Sequence, residues 1–340
     1  MRAWQLDDFG MKNLRLADRP TPRPQEGQIL VKVSAVSLNY RDKAIVDGVY
    51  DPERMPKGLI PVNDAAGVVA EVGPGVSEWQ VGDRVLSHFY SHWLEGPPGP
   101  DEPDWQLGGP LDGGLAEYMI LEAKSAVAAP ANLTDQQAAT LPIAALTAWF
   151  ALVEYGRLRP GQSVLVQGTG GVSLFAVQFA TALGARVIAT SSSDDKLRRA
   201  AALGGGDLVN YRTHPNWADE VLRLTDGRGV DHVVEVVAGE GINQSVRATK
   251  AAGHIALVGF LGGQTAPLDV MPLLYSQAAI RGIAVGHRRA FVEMNRWIEK
   301  NGLEPVIDSV FAFEDARQAY ERLEEGPFGK VVIRVGDEDQ

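Results

Sequence analysis

The sequence predicts an α/β protein, a doubly wound parallel sheet joined to a second, β-rich domain, on three observations. One stretch, SVLVQGTGGVSLFAVQFATALG (163–184), reads as a strand, a tight glycine turn and a helix without a spacer. Downstream of it, strand-like and helix-like segments alternate at the spacing of parallel βαβ units. Upstream, short valine-rich runs are cut by glycine and proline, the pattern of many short strands.

In the central stretch, residues 163–167 alternate like a buried strand, and Gly168, Gly170 and Gly171 follow at once. Val172, Phe175, Ala176, Phe179, Ala180 and Leu183 then recur at three and four residues, the apolar stripe of a helix packed on a sheet. Such a turn brings a pyrophosphate against a helix N-terminus, where unpaired N–H groups and the dipole favour an anion. Gly168, Thr169, Gly170, Gly171 and Val172 are therefore the candidate cradle. Ser173 stands where the third glycine of GxGxxG would be, and a turn that serves packing alone is the alternative.

At 340 residues the chain exceeds one hydrophobic core, so more than one domain is expected. The net charge of −11, with no basic cluster, argues against a nucleic-acid partner. The chain has no cysteine, which excludes disulfides, thiolate nucleophiles and cysteine-ligated metal. No apolar run reaches membrane-spanning length, and the opening MRAWQLDDFG lacks the apolar core of a signal peptide, so a cytoplasmic protein without a membrane partner is expected.

In chain order, residues 29–34, 64–72 and 84–86 read as strands. The segment 88–114, which contains YSHWLEGPPGPDEPDWQLGGPLDGG, is an interface loop or a lid; His88, Trp93 and Trp105 either line a pocket or shield the loop itself. Residues 133–155 read as a helical pair with a Thr134/Gln137 capping box and a break at Pro142; Thr147 and Trp149 face a cofactor or belong to the core. Strands at 186–190, 207–210, 230–237 and 255–260 then alternate with helices at 194–203, 217–225 and 243–251. Residues 277–285 complete the sheet, 289–301 and 313–324 are helices, 330–335 is a terminal strand, and the acidic tail 336–340 is expected to fray. His214, His232 and His254 have no metal-ligand spacing, and Glu235 is expected to be satisfied by local donors at a sheet edge. The expected division is 1–130, 131–270 and 271–340, the last part ending the sheet and returning to the first domain.

With these residues in view, the chain resembles the medium-chain dehydrogenase/reductase superfamily, near its zinc-free quinone oxidoreductases. The resemblance rests on NDAAGVVAEVGPGVSEWQVGDRV (63–85), GGLAEY (113–118), the turn QGTGGVS, LGGGDLVNYR (203–212) and GRGVDHVVEVV (227–237), and it spans almost the whole chain. It implies a discontinuous, GroES-like catalytic domain from the two chain ends, a central Rossmann domain, a cleft between them and a homodimer. In the zinc-containing alcohol dehydrogenases of this superfamily, cysteine, histidine and a second cysteine hold the metal beside an acid. The matching positions are Asn39, Asn63, the aliphatic 141–147 region, and Asp64 for the acid, a poor zinc set.

The resemblance thus implies hydride transfer without zinc to an acceptor that is already electron-poor, a quinone, an enone or a related carbonyl. Asn39, Tyr40, Arg41 and Asn63 are its candidate polar groups, Tyr40 or Arg41 donating and the asparagines orienting, against the alternative that they tie loops together. Asp64 is structural on this reading. Alcohol dehydrogenase or carbonyl reductase activity, and a non-catalytic NADP-binding role, are the alternatives. Counting from the glycine turn puts Ser191 and Ser192 where an NAD site carries an acid, and small hydroxyls accommodate a 2′-phosphate. Lys196 and Tyr211 match residues of that pocket in the resembled reductases, so NADP (NADPH) is expected over NAD; a serine helix cap and a solvent lysine are the alternative. The correspondence further places Val258, Gly259 and Phe260 near the nicotinamide, backbone at Val285, Gly286 and His287 on its second edge, and Lys330 near the pyrophosphate.

Overall fold

The computed structural model describes residues 1–336, so the tail expected to fray lies outside the described residues from 337 on. The chain forms two compact units, one of Met1–Leu146 with the chain from His287 onward, the other Thr147–Gly286. The first boundary falls later than 130/131. Residues 131–146 stay with the first unit because the Asp135–Ala138 helix packs on strands Gln28–Leu38, Asp64–Val72 and Lys330–Arg334. Residues 271–286 end the sheet of the second unit, as expected, with its last strand, Ala279–Gly282, before the chain returns to the first unit.

The first unit is built on Gln28–Leu38, an eleven-residue strand longer than its expected 29–34. It pairs antiparallel with Asp64–Val72 and Tyr118–Glu122, and its second half, Ala35 to Leu38, pairs with Lys330–Arg334 from the far end of the chain. Ile29, Val31, Val33, Val36 and Leu38 are buried with Val69, Leu121, Tyr320, Val331 and Ile333 in one core. Ile307–Ala312, a strand the sequence did not signal, lies parallel to Lys330–Arg334, with the Ala316–Glu324 helix crossing between them. The 133–155 region breaks ahead of Pro142, as expected: the Asp135–Ala138 helix ends in a turn, and Pro142 sits in the first turn of a wide π-helical segment, Leu141–Ala145, where its missing N–H costs nothing.

The second unit is a six-stranded parallel sheet in the order Asp207–Asn210, Arg186–Ser191, Ser163–Gln167, Val230–Glu235, Thr249–Leu257, Ala279–Gly282. Leu165, Ile188, Val209, Val233 and Ile255 from five of these strands bury one face. The Gly171–Ala182 helix buries Ser173 to Val177, Phe179 and Ala180, so it is a core helix rather than a surface one. The helix expected over 243–251 ends at Ala248, and its neighbouring strand begins at Thr249; Ala252, at φ 58°, marks a bulge where the register against Val230–Glu235 shifts. Ser163–Gln167 lies between the strand that follows it and Val230–Glu235, so the sheet's order reverses at the glycine turn. Crevices at such a reversal, beyond the carboxyl ends of the strands, are where open α/β sheets bind ligands.

Candidate functional site

In the second unit, Gly168 ends the strand at φ 73°, a left-handed conformation that glycine adopts without strain. A Cβ on Gly170 would meet nothing within 4 Å, so the turn is open where a ligand's phosphates approach. The helix that starts at Gly171 presents its first-turn N–H groups to the same place. Ser173 explains its departure from the glycine fingerprint: its Oγ donates to the Gln167 carbonyl at 2.7 Å, fastening the helix to the strand it follows.

Ser191 ends the next strand, 4 % exposed, with its Oγ accepting from the Ser193 N–H at 3.3 Å. The helix cap is Ser193, which accepts from the Lys196 N–H, so Ser191 and Ser192 are left on the strand end. Asp194 and Asp195 occupy the first helical turn, Asp194 accepting from Asn210 Nδ2 at 2.6 Å. Tyr211 donates its N–H to the Ser191 carbonyl at 3.1 Å and exposes its ring. Ser191, Ser192, Lys196 and Tyr211 are thus brought together at one strand end.

Val258 and Gly259 donate backbone N–H groups to the Glu235 carbonyl, and Phe260 follows them, half-buried. Val285 holds φ 62°, and Gly286 faces the Phe150 ring so closely that a Cβ would lie 2.6 Å from it. Thr147 is buried, as expected of a core residue. His287 belongs to the first unit, where its Nδ1 accepts from the Ala290 N–H as the cap of the Arg288–Asn301 helix.

In the first unit, Asn39 and Asn63 converge on Asp64. Asn39 Nδ2 donates to Asp64 Oδ2 at 2.8 Å and Asn63 Nδ2 to Oδ1 at 2.7 Å, with the Ile143 N–H adding to the same carboxylate. Because only an NH2 can face a carboxylate, both carboxamides are fixed with their oxygens turned away. Asn39 Oδ1 accepts from Lys330 Nζ at 2.6 Å, and Lys330 also donates to the Leu38 carbonyl at 2.8 Å and lies 3.5 Å from Asp64. Asn63 Oδ1 is buried without a partner. Burial pushes the Asp64 carboxyl up and the Lys330 ammonium down, while their mutual attraction opposes both shifts.

Three expectations are corrected by this packing. Lys330 is not a surface cation near a pyrophosphate, because it is 3 % exposed and its N–H groups are committed inside the first unit. Arg41 is not a donor for substrate: it is buried between the Tyr50 and Phe89 rings and binds the Gln106 side chain and the Leu107 and Gly109 carbonyls. Glu235 is satisfied by local donors, but on an inner strand rather than at a sheet edge. Of the four candidates in this unit, Tyr40 is the one with a large exposed surface, 42 %. Arg41 also explains the 88–114 loop, which it pins, while Trp93 is buried against Tyr90 and His287. Trp105 packs on His92, stays partly exposed and lines a cavity of about 310 Å³ with Ser91, Leu107 and Leu111, so Trp93 shields the loop while Trp105 lines a pocket.

Sequence reasoning considered Asp42 only as a partner for Arg41 and missed that it is fully buried, with its Oδ2 accepting the Asn39 N–H at 2.7 Å. The Asn-x-x-Asp spacing at 39–42 is a capping pattern and would have found it. A zinc ion does not fit the Asn39, Asn63 and Asp64 set. It would have to replace the hydrogen bonds both NH2 groups make to Asp64 and sit beside the Lys330 ammonium. Among the described residues, no group of three or more His, Asp or Glu side chains could hold a metal.

Residues 25–131 match the alcohol dehydrogenase GroES-like domain and residues 171–300 the zinc-binding dehydrogenase domain. The chain is similar to a zinc-type alcohol dehydrogenase-like protein of Schizosaccharomyces pombe, 41 % identical with 91 % of each chain covered. It is 30 % identical to the quinone oxidoreductase of Rattus norvegicus, covering 98 % of this chain and 97 % of that protein. Among solved structures, a putative alcohol dehydrogenase from Sinorhizobium meliloti is 43 % identical and superposes with a TM-score of 0.92 over 98 % of both chains. With a GroES-like first unit, a Rossmann second unit and full-length likeness to these proteins, the chain belongs to the medium-chain dehydrogenase/reductase superfamily of nicotinamide-dependent oxidoreductases.

Proposed function

We propose that this oxidoreductase uses NADPH to reduce a quinone, an enone or a related activated carbonyl, without zinc. The observation that carries the reading is the Asp64 clamp: the positions that would ligate zinc are hydrogen-bonded to one carboxylate and neighbour an ammonium. A bound NADPH supplies the hydride. The chain's own residues bind, orient and stabilise. The turn at Gly168, Thr169, Gly170, Gly171 and Val172 receives the pyrophosphate on unpaired N–H groups. Ser191, Ser192, Lys196 and Tyr211 surround the 2′-phosphate, and no acid stands at Ser191 to repel it. Val258, Gly259, Phe260, Val285 and Gly286 supply backbone to the nicotinamide half. Tyr40, the exposed phenol at the start of its helix, donates toward the acceptor oxygen as negative charge develops there. Asn39, held by Asp64 and Lys330, caps the helix that carries Tyr40 and so positions the phenol, and Asn63 braces the same carboxylate.

A second reading, alcohol oxidation, is favoured by the partnerless Asn63 Oδ1. A carbonyl oxygen accepts, and so suits a hydroxyl rather than a bare ketone. The working assembly in this proposal is a cytoplasmic homodimer.

A panel of quinones, enones, aldehydes and alcohols, each assayed with NADPH or NADP in the presence and absence of a chelator, tests the proposal. The expected result is chelator-insensitive turnover of quinones or enones. Turnover restricted to alcohols and aldehydes and abolished by the chelator would overturn it, and tight NADPH binding with no turnover would assign a non-catalytic role.

A further inference from the structure

The second unit buries a carboxylate that the proposed chemistry does not use. Glu235 ends the Val230–Glu235 strand with no exposed surface. Its Oε1 accepts the N–H groups of Val237 and Ala238, both at 2.9 Å. Its Oε2 accepts from Gln167 Nε2 at 2.8 Å and from the Ser245 hydroxyl. Gln167 immediately precedes Gly168, and its own Oε1 accepts the Val236 N–H at 3.2 Å. One carboxylate and one carboxamide therefore join the root of the glycine turn to the loop after the neighbouring strand.

That loop is held in a costly conformation. Ala238 adopts φ 57° and ψ −141°, a region that side chains avoid, and its N–H is one of the two that Glu235 receives. The next loop over, after Thr249–Leu257, is stacked on it backbone to backbone. Gly262 donates to the Val237 carbonyl at 2.6 Å, and a Cβ on Gly259 would lie 2.3 Å from the Val236 carbonyl oxygen. Both loops leave the carboxyl ends of parallel strands beside the glycine turn.

We infer that Glu235 and Gln167 are positioning residues for the dinucleotide, presetting the backbone of 236–239 and, through it, of 258–262 against the Gly168 turn. The inference rests on reading that turn as the pyrophosphate cradle. The polarity of the pair is directional. At 235 only a carboxylate accepts all four donors; a carboxamide there turns an NH2 either on two backbone N–H groups or on the Gln167 amide. A carboxylate at 167 alone would face Glu235 across a contact of 2.8 Å. Exchanging the two restores a match: Glu at 167 accepts from Val236 and from Gln at 235, whose oxygen still receives Val237 and Ala238.

Glu235→Gln, Gln167→Glu and the double exchange are titrated with NADPH and with NADH, well below each protein's melting temperature. Each single variant is expected to bind NADPH about tenfold more weakly or worse, with KM for NADPH rising more than kcat falls. The double exchange is expected to return to within about threefold of the wild type. A purely structural role would lower the melting temperature and leave affinity unchanged. Wild-type affinity in the Glu235→Gln variant would overturn the inference. So would a double exchange that remains unfolded or that regains its melting temperature without its affinity. If the single variants do not fold, the double exchange alone decides. A wild-type protein that binds neither nucleotide would instead remove the cradle reading, a result visible before any variant is made.

Discussion

The Asp42 carboxylate is enclosed in the first unit at the third position of the Tyr40–Val46 helix, one oxygen bound to the Asn39 N–H and the other without a partner. Burial pushes its carboxyl up to about 6, with Asp64 adding to the shift and the charges of Arg41 and Lys330 opposing it. The folded protein therefore binds this proton more tightly than the unfolded chain does. The stability so contributed is fully present at low pH and is lost as pH rises through about 6. Asp42→Asn keeps an oxygen for the Asn39 N–H and cannot ionise. It should gain about 1 kcal/mol on the wild type between pH near 5 and pH near 8, read from denaturant midpoints at the two values. A constant difference across that range would show that the carboxyl titrates normally. The capping pattern that holds Asp42 is legible in four consecutive residues. Lys330 is not legible in this way, because its burial depends on a strand pairing between opposite ends of the chain, and only that pairing brings its ammonium to Asn39.

At the level of elements, the strand, turn and helix over 163–184 were readable because local periodicity and burial agree there: the strand is inner and the helix is packed on it. The Arg186–Ser191 strand and the helix after it were readable for the same reason, and their junction is where the proposed NADPH preference is tested. Ser193 caps the helix, Ser191 and Ser192 stand at the strand end before it, and Lys196 follows in the first turn, the place the proposal gives to a 2′-phosphate. Ser191→Asp would set a carboxylate against that phosphate, while in an NAD site the same acid would bind the ribose hydroxyls. Lys196→Ala would remove a countercharge from the phosphate alone. Each should weaken NADPH binding by about tenfold while leaving NADH binding within about threefold, by fluorescence titration. Unchanged discrimination in both variants would reject the phosphate role of this strand end. The 88–114 loop was not legible at this level, since the residue that organises it, Arg41, reaches it from another element.

For the molecule as a whole, alternation of strand and helix was enough to predict the parallel sheet, and short punctuated strands were enough for a β-rich partner. The first boundary was less legible. Whether residues 131–146 join one unit or the other is decided by what they pack against, which periodicity does not report, whereas 271–286 end the sheet as their pattern indicated. The sheet of the second unit also ends in an open edge. Ala279–Gly282 is bonded to one neighbour only, and the Val270–Ser276 helix before it buries none of its residues. Leu274 is 65 % and Tyr275 80 % exposed, with Val270 and Met271 about half so. An unpaired edge next to exposed apolar side chains is a liability for a monomer. In the proposed homodimer a second copy related by a two-fold axis would cover both at once, because a strand edge pairs antiparallel with itself and the same patch then meets the same patch. The homodimer proposed above should therefore run at twice the chain mass in light scattering. Leu274→Arg combined with Tyr275→Glu should shift it to the monomer mass while the circular dichroism spectrum is retained, since neither side chain is part of the core. A wild-type protein that is monomeric at all concentrations, or a double variant that stays dimeric, would place the interface elsewhere or remove it.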